Sequence, residues 1–98
     1  MARVTWTDQA LDDLDSICLF IARDAPRYAE LFAGRVFRAT EWLAQFPQSG
    51  RVVPELGRSD IREVVVQNYR VIYRLLPDEV QSLTVHHGAR LLRDPERP

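Results

Sequence analysis

The fold is decided by residues 61–76, which read IREVVVQNYRVIYRLL. Two runs within this stretch, 61–66 and 69–76, are rich in β-branched and aromatic residues. In both runs the side chains follow the period of two that is typical of a β-strand. We therefore expect a pair of adjacent antiparallel strands at the centre of the molecule.

The connection between the two runs is short enough to be a tight hairpin turn. It consists of Gln67-Asn68, and asparagine tolerates the positive φ angle that such turns require. With a two-residue turn, the predicted register pairs Val66 with Tyr69 and Arg62 with Tyr73.

Upstream of the hairpin, two segments carry apolar residues at steps of three and four, as amphipathic helices do. They are residues 8–23 and 27–46, and a proline precedes the second one. Thr7 or Asp8 can cap the first helix. An alternating run at residues 3–7 comes before both segments and predicts a short strand.

Downstream of the hairpin, a turn at residues 77–79 leads to a third strand at 80–87, and a polar tail starts at Gly88. The order β-α-α-β-β-β predicts one α+β domain over residues 1–98. The helical hairpin should pack on one face of a small, mainly antiparallel sheet, and the other face should be partly open.

Composition narrows the possible functions. The net charge of −1 over 98 residues does not suit a protein that binds nucleic acid mainly through phosphate contacts. All 13 residues of the lysine-plus-arginine count are arginine, so cationic chemistry depends on guanidinium groups, which do not move protons.

The single cysteine, Cys18, excludes an internal disulfide. No signal peptide or membrane span is evident, and we expect a cytoplasmic protein.

Four short strings carry a family resemblance along nearly the whole chain. They are Trp6-Thr7 with Ala10, Asp13 and Leu14; Phe46-Pro47 with Gly50-Arg51; Arg62-Glu63 with Tyr69-Arg70-Val71-Ile72-Tyr73-Arg74; and Val85-His86-His87-Gly88-Ala89-Arg90. In this order and at this spacing they resemble the RelE/ParE superfamily of bacterial toxins.

The resemblance implies the toxin of a type II toxin–antitoxin system, which a cognate antitoxin neutralises in a hetero-oligomer. RelE-like members are ribosome-dependent mRNA endonucleases, whereas ParE-like members poison DNA gyrase. RelE-like nucleases typically use lysines and a C-terminal tyrosine, and this chain has no lysine and no tyrosine after Tyr73. We therefore expect a gyrase inhibitor without catalytic residues. An mRNA endonuclease, or a degenerate member that only binds its antitoxin, remains an alternative.

The candidate target-binding residues are Arg62, Arg70, His87 and Arg90. The predicted register brings Arg70 near His86 or His87, so that the arginines and one histidine could converge at one end of the sheet. In a nuclease, the arginines would hold phosphate and the histidine would move a proton. No metal site is expected, since adjacent strand residues such as His86 and His87 point to opposite faces. No cofactor is expected either.

The candidate antitoxin-binding surface is the sheet face away from the helices. We expect four apolar side chains to share it, namely Val64, Val66, Ile72 and Leu76. An exposed apolar patch of this kind is rarely left uncovered in a monomer, so an antitoxin helix or strand is its expected partner.

Overall fold

The computed structural model describes residues 1–89, and it confirms the predicted order with one short strand added. The elements are β1 (Arg3–Trp6), α1 (Asp8–Ala22), α2 (Pro26–Gln45), β2 (Arg51–Val52), β3 (Ile61–Val66), β4 (Tyr69–Leu76) and β5 (Glu79–His87). The strand β2 was expected to be loop, because two residues are too few to show a period. Within the described part of the chain, neither helix has the length and apolar character needed to cross a membrane.

The five strands form one mixed sheet in the order β1-β5-β4-β3-β2. The pairs β2–β3, β3–β4 and β4–β5 are antiparallel, as the hairpin pattern predicts. The strand β1 lies beside β5 and is parallel to it. A parallel neighbour requires a long connection, which in this chain runs through both helices, the short edge strand β2 and the β3–β4 hairpin.

Both helices pack on one face of the sheet, which we call the helix face. The core between them has two clusters of buried side chains. The larger contains Leu14, Phe32, Val36, Val66, Val71 and Val85, and the smaller contains Leu43, Tyr73 and Val80. The apolar stripes predicted from the helical spacing therefore supply the core, as burial of apolar surface requires.

The opposite side of the sheet, which we call the far face, is not open at its centre as the sequence predicted. Val53, Ile61 and Ile72 form a third buried cluster there, and Leu56 and Leu83 pack against it. The segment between β2 and β3 thus folds back over the sheet. Because this covering segment has no regular period, sequence pattern alone identified it only as a loop.

The start of α1 fills an open stretch of sheet edge. The strand β1 ends before β5 does, and side chains of the helix then bind the remaining backbone of β5. Thr7 caps α1 and its hydroxyl donates to the carbonyl of Leu83 at 2.9 Å. The carboxylate of Asp13 accepts the N–H of Val85 at 3.0 Å and the hydroxyl of Thr84. Polar backbone groups that would otherwise lack partners are satisfied in this way.

Candidate functional site

The hairpin of β3 and β4 positions most of the candidate residues. Its register pairs Val66 with Tyr69 and Arg62 with Tyr73, as predicted. The positive φ of the turn is found at Gln67, at 56°, rather than at the expected Asn68. The side chain of Gln67 accepts a hydrogen bond from the hydroxyl of Tyr28 at 3.2 Å, which joins the turn to the start of α2.

Arg70 lies buried on the far face and is bound by two carboxylates. Its Nη1 and Nη2 donate to both oxygens of Glu55, at 2.7 and 2.8 Å, and its Nε donates to Glu63 at 3.0 Å. The hydrogen bonds that Arg70 donates to Glu55, and then those that it donates to Glu63, raise the pKa of the guanidinium. Forked pairing of this kind occupies all three guanidinium nitrogens, so Arg70 is not available to hold a phosphate.

Glu63 extends this arrangement into a cluster of four charges. The side chain of Glu63 is fully buried, and it also accepts Nη2 of Arg51 at 2.7 Å. We call Arg51, Glu55, Glu63 and Arg70 the far-face ion cluster. Its two positive and two negative charges balance, which is the condition under which buried charges are tolerated. The cluster ties the loop at Glu55 to the centre of the sheet.

Arg62 makes a different set of contacts. Its Nε donates to the carbonyl of Ser59 at 3.1 Å, and its Nη1 donates to the carbonyls of Gln48 and Gly50 at 3.3 and 3.1 Å. Arg62 therefore fastens the loop that follows α2 to the start of β3. These are bonds to neutral backbone groups, and the side chain is partly exposed.

The predicted convergence of Arg62 with Arg70 is wrong. Arg62 lies opposite Tyr73, whose side chain is in the helix-face core, whereas Arg70 lies opposite Val65 and binds the far-face ion cluster. Residues on opposite faces of a sheet cannot share one ligand. The predicted proximity of Arg70 to the histidines is confirmed, since Arg70 pairs with His86.

His87 is exposed at the end of β5, where the structure leads into the C-terminal tail. Its ring meets that of Tyr69 edge to face, with centroids 5.4 Å apart, and its Nδ1 accepts the N–H of Ala89 at 3.2 Å. Accepting at Nδ1 leaves Nε2 as the nitrogen that carries the proton in the neutral ring. Arg90, the fourth candidate, lies outside the described residues.

The predicted antitoxin surface is wrong as a set. Val64 and Val66 pair with Val71 and Tyr69 and pack in the helix-face core, so they are not on the far face. Ile72 does lie on the far face but is fully buried beneath the β2–β3 loop. Of the four residues only Leu76 is exposed, to 38 %. The predicted hairpin register could have shown this for Val66, because Val66 pairs with Tyr69 and paired residues lie on the same face of a sheet.

Tyr73 is a structural residue whose hydrogen bonds the sequence did not reveal. It is completely buried, its hydroxyl donates to the carbonyl of Pro47 at 2.8 Å, and it accepts the N–H of Gly50 at 3.0 Å. Burial raises the pKa of this hydroxyl. A Cβ at Gly50 would collide with the Tyr73 hydroxyl and with the carbonyl of Glu63. The Pro-x-x-Gly motif is thus explained by close backbone approach.

An apolar pocket of about 620 Å³ lies at the end of the molecule opposite His87. It is lined by Ala2, Phe46, Pro47, Gln48, Ser49, Leu75, Leu76 and Pro77. The pocket thus joins the end of α2 to the β4–β5 turn. It contains no charged side chain among its lining residues, which suits an apolar anchor rather than a charged ligand.

Two further features bear on chemistry. Among residues 1–89, no three side chains of histidine, cysteine, aspartate or glutamate are grouped so that they could hold a metal ion. Cys18 is a free, partly buried thiol that packs against the larger core cluster, and burial together with the nearby Asp15 raises its pKa. A raised pKa disfavours the thiolate that a nucleophile needs.

Comparisons with known proteins agree with this architecture. Residues 4–92 match the family described as "ParE toxin of type II toxin-antitoxin system, parDE". The chain is 37 % identical over 92 residues to "Toxin RelE2" of Caulobacter vibrioides, covering 93 % of this chain and 100 % of that protein. It is 39 % identical over 89 residues to "Putative toxin Y4kP" of Sinorhizobium fredii, covering 88 % of each.

A solved structure shares the fold. It is titled "Chromosomal ParDE TA system from P. aeruginosa", and it superposes with a TM-score of 0.74 at 21 % identity over 89 % of this chain and 96 % of that one. The order of elements, the mixed sheet and the family match over almost the entire chain together lead to one conclusion: the protein belongs to the ParE toxin family of type II toxin–antitoxin systems.

Proposed function

We propose that this toxin acts by inhibiting DNA gyrase through binding, not by cleaving RNA. The observation that carries the proposal is the state of Arg70. Ribosome-dependent RNA cleavage needs cations around the scissile phosphate and a group that moves protons. Arg70 is neutralised by Glu55 and Glu63, and it lies on the opposite sheet face from Arg62.

The lack of lysine in the sequence supports the same proposal. Nucleases of the RelE arm typically use lysines, whereas the cations of this chain are all arginines. An arginine can bind a phosphate or a carboxylate, but it does not lose a proton in catalysis. A protein whose cations are all arginines is therefore suited to binding a partner surface.

The surface that we assign to the target is the end of the molecule at which β5 gives way to the tail. His87 is exposed there beside Tyr69, and Arg90 follows it three residues later in sequence. An aromatic side chain, a histidine and a following arginine together offer both packing and hydrogen-bond donors to a protein partner. Arg62 and Arg70 are not proposed as target contacts, because Arg70 is bound by Glu55 and Glu63 and Arg62 binds three backbone carbonyls within the toxin.

The direct test is to express the toxin without antitoxin in a susceptible bacterium and to follow DNA damage signalling and mRNA integrity together. We expect filamentation with an SOS response and intact mRNA. Codon-phased mRNA cuts with early translation arrest would refute the proposal in favour of an endonuclease. Unaffected growth at confirmed expression would refute it in favour of a degenerate member that only binds antitoxin.

A second arm of the test uses purified gyrase and DNA. Wild-type toxin should inhibit supercoiling, and His87→Ala should weaken the inhibition by about tenfold, the effect of losing one central contact. Asp78→Ala is the matched control, since Asp78 is exposed in the turn at the other end of the molecule. Equal inhibition by both variants would remove His87 from the target surface.

A further inference from the structure

The outward side of α2 carries five exposed residues at steps of three and four, which we call the outer stripe. It consists of Tyr28, Leu31, Arg35, Arg38 and Trp42. This spacing places them in one row along the helix. The row lies away from the buried side of α2, whose residues supply the core. A helix in a monomer normally presents charged and polar residues to water at such positions, whereas three of these five are large and apolar or aromatic.

The two arginines of the stripe lack partners within the described chain. Neither Arg35 nor Arg38 forms an ion pair with a carboxylate among residues 1–89, and the only acids of α2, Glu30 and Glu41, fall outside the row. The guanidinium of Arg38 lies over Gly34, where an added Cβ would be 3.3 Å from Nη1. In contrast to Arg70, these cations are open to a partner.

The apolar part of the stripe is continuous with the pocket at the end of the sheet. Leu31 is 51 % exposed and Trp42 is 57 % exposed. The ring of Trp42 lies over that of Phe46, with centroids 4.6 Å apart. Phe46 lines the pocket together with Leu76. An apolar surface therefore runs from Trp42 through Phe46 into the cavity, whereas Leu31 lies on the other side of the two arginines.

We propose that the outer stripe selects the antitoxin by charge, binding an acidic amphipathic helix whose carboxylates pair with Arg35 and Arg38. Two arginines one turn apart match carboxylates one turn apart on a facing helix. Apolar residues on either side of those carboxylates would cover Leu31 and Trp42, and a terminal apolar side chain would enter the pocket. The proposal rests on membership of a toxin–antitoxin family and is independent of the toxin's target.

An acidic protein segment fits the stripe better than a nucleic acid does. Nucleic acid binding would demand a row of cations that tracks successive phosphates, but the stripe offers only two arginines, with apolar or aromatic side chains on either side of the pair along the row. The molecule as a whole carries a net charge of −1, so there is no long-range field that would attract a polyanion. Two arginines beside exposed apolar and aromatic side chains are a combination typical of protein–protein interfaces.

The test measures the affinity of the purified toxin for the antitoxin encoded beside it, with charge-reversed toxin variants. Arg38→Glu, and more strongly Arg35→Glu/Arg38→Glu, should weaken binding by at least about tenfold and reduce its sensitivity to salt. Arg23→Glu is the matched control, because Arg23 is exposed at the end of α1 and has no ion pair among the described residues. Replacing the paired antitoxin glutamates with arginine should restore binding to the reversed toxin.

The apolar part of the proposal has its own pair of variants. Trp42→Ala should weaken antitoxin binding, whereas Phe20→Ala should not, although Phe20 on α1 is exposed to a similar extent, 64 %. Thermal unfolding of each free variant shows whether it is folded. If the stripe variants bind antitoxin as tightly as the two controls do, or if double-stranded DNA displaces the antitoxin from the stripe, the proposal is refuted.

Discussion

At the scale of single residues, Arg70 shows that an arginine which the sequence makes a candidate for ligand binding can instead be paired within the fold. From the sequence, an arginine on a central strand is a candidate for ligand binding. In the structure, Glu55 and Glu63 surround it, and its side chain is only 6 % exposed. The sequence did contain a signal for this pairing: in the predicted register Glu63 shares a face with Arg70. What it could not show is that the β2–β3 loop brings Glu55 to the same place.

We expect Arg70→Met to destabilise the toxin by about 3 kcal/mol, because it removes one of the two cations that compensate the buried carboxylate of Glu63. Urea unfolding of the free toxin measures this change. Arg62→Met is the control, since it removes bonds to uncharged backbone carbonyls and should cost only about 1 kcal/mol. An equal decrease in the free energy of unfolding in the two variants would mean that the far-face ion cluster does not stabilise the fold.

At the scale of elements, α1 has a role beyond covering the sheet, because its first turns complete the edge of β5. We expect Asp13→Ala to cost about 2 kcal/mol, since it leaves the N–H of Val85 and the hydroxyl of Thr84 without their partner. The same substitution should accelerate hydrogen exchange at the Val85 amide. Asp12→Ala, which changes an exposed neighbour in the same helix, should leave both measurements unchanged.

The elements that sequence could predict are those with a regular period. The alternation of β3 and β4 and the three-four spacing of both helices gave their approximate limits and the order of the chain. The face assignment of Val64 and Val66 failed although the predicted register pairs Val66 with Tyr69, whose ring packs against Phe32 of α2. The closure of the far face was beyond prediction, because Val53 and Leu56 belong to a segment whose path depends on tertiary contacts.

At the scale of the whole molecule, whose extents are 39 × 30 × 21 Å, the Trp42 end of the outer stripe and the target surface at His87 lie at opposite ends. The helix α2 begins beside the β3–β4 turn, near the His87 end, and ends where Ala44 accepts the N–H of Ala2 at 2.9 Å. Trp42 is therefore near the pocket, and His87 is near the tail.

This separation predicts two opposite phenotypes. Trp42→Ala should leave the free toxin as active as wild type but reduce its neutralisation by co-expressed antitoxin. His87→Ala should reduce toxicity but leave antitoxin affinity unchanged. Growth assays with and without antitoxin, together with binding measurements on the purified pair, distinguish these cases. If either variant loses both properties while it remains folded, the two surfaces are not separate.

The parallel pairing of β1 with β5 also affects the order in which the sheet can form. Residues 3–6 pair with residues 79–82, so the strand that comes first along the chain depends on partners that are distant in sequence. Closing so long a loop is slow compared with forming local contacts. We therefore expect β1 to join the sheet late in folding, after the two helices and the β3–β4 hairpin have made their local contacts.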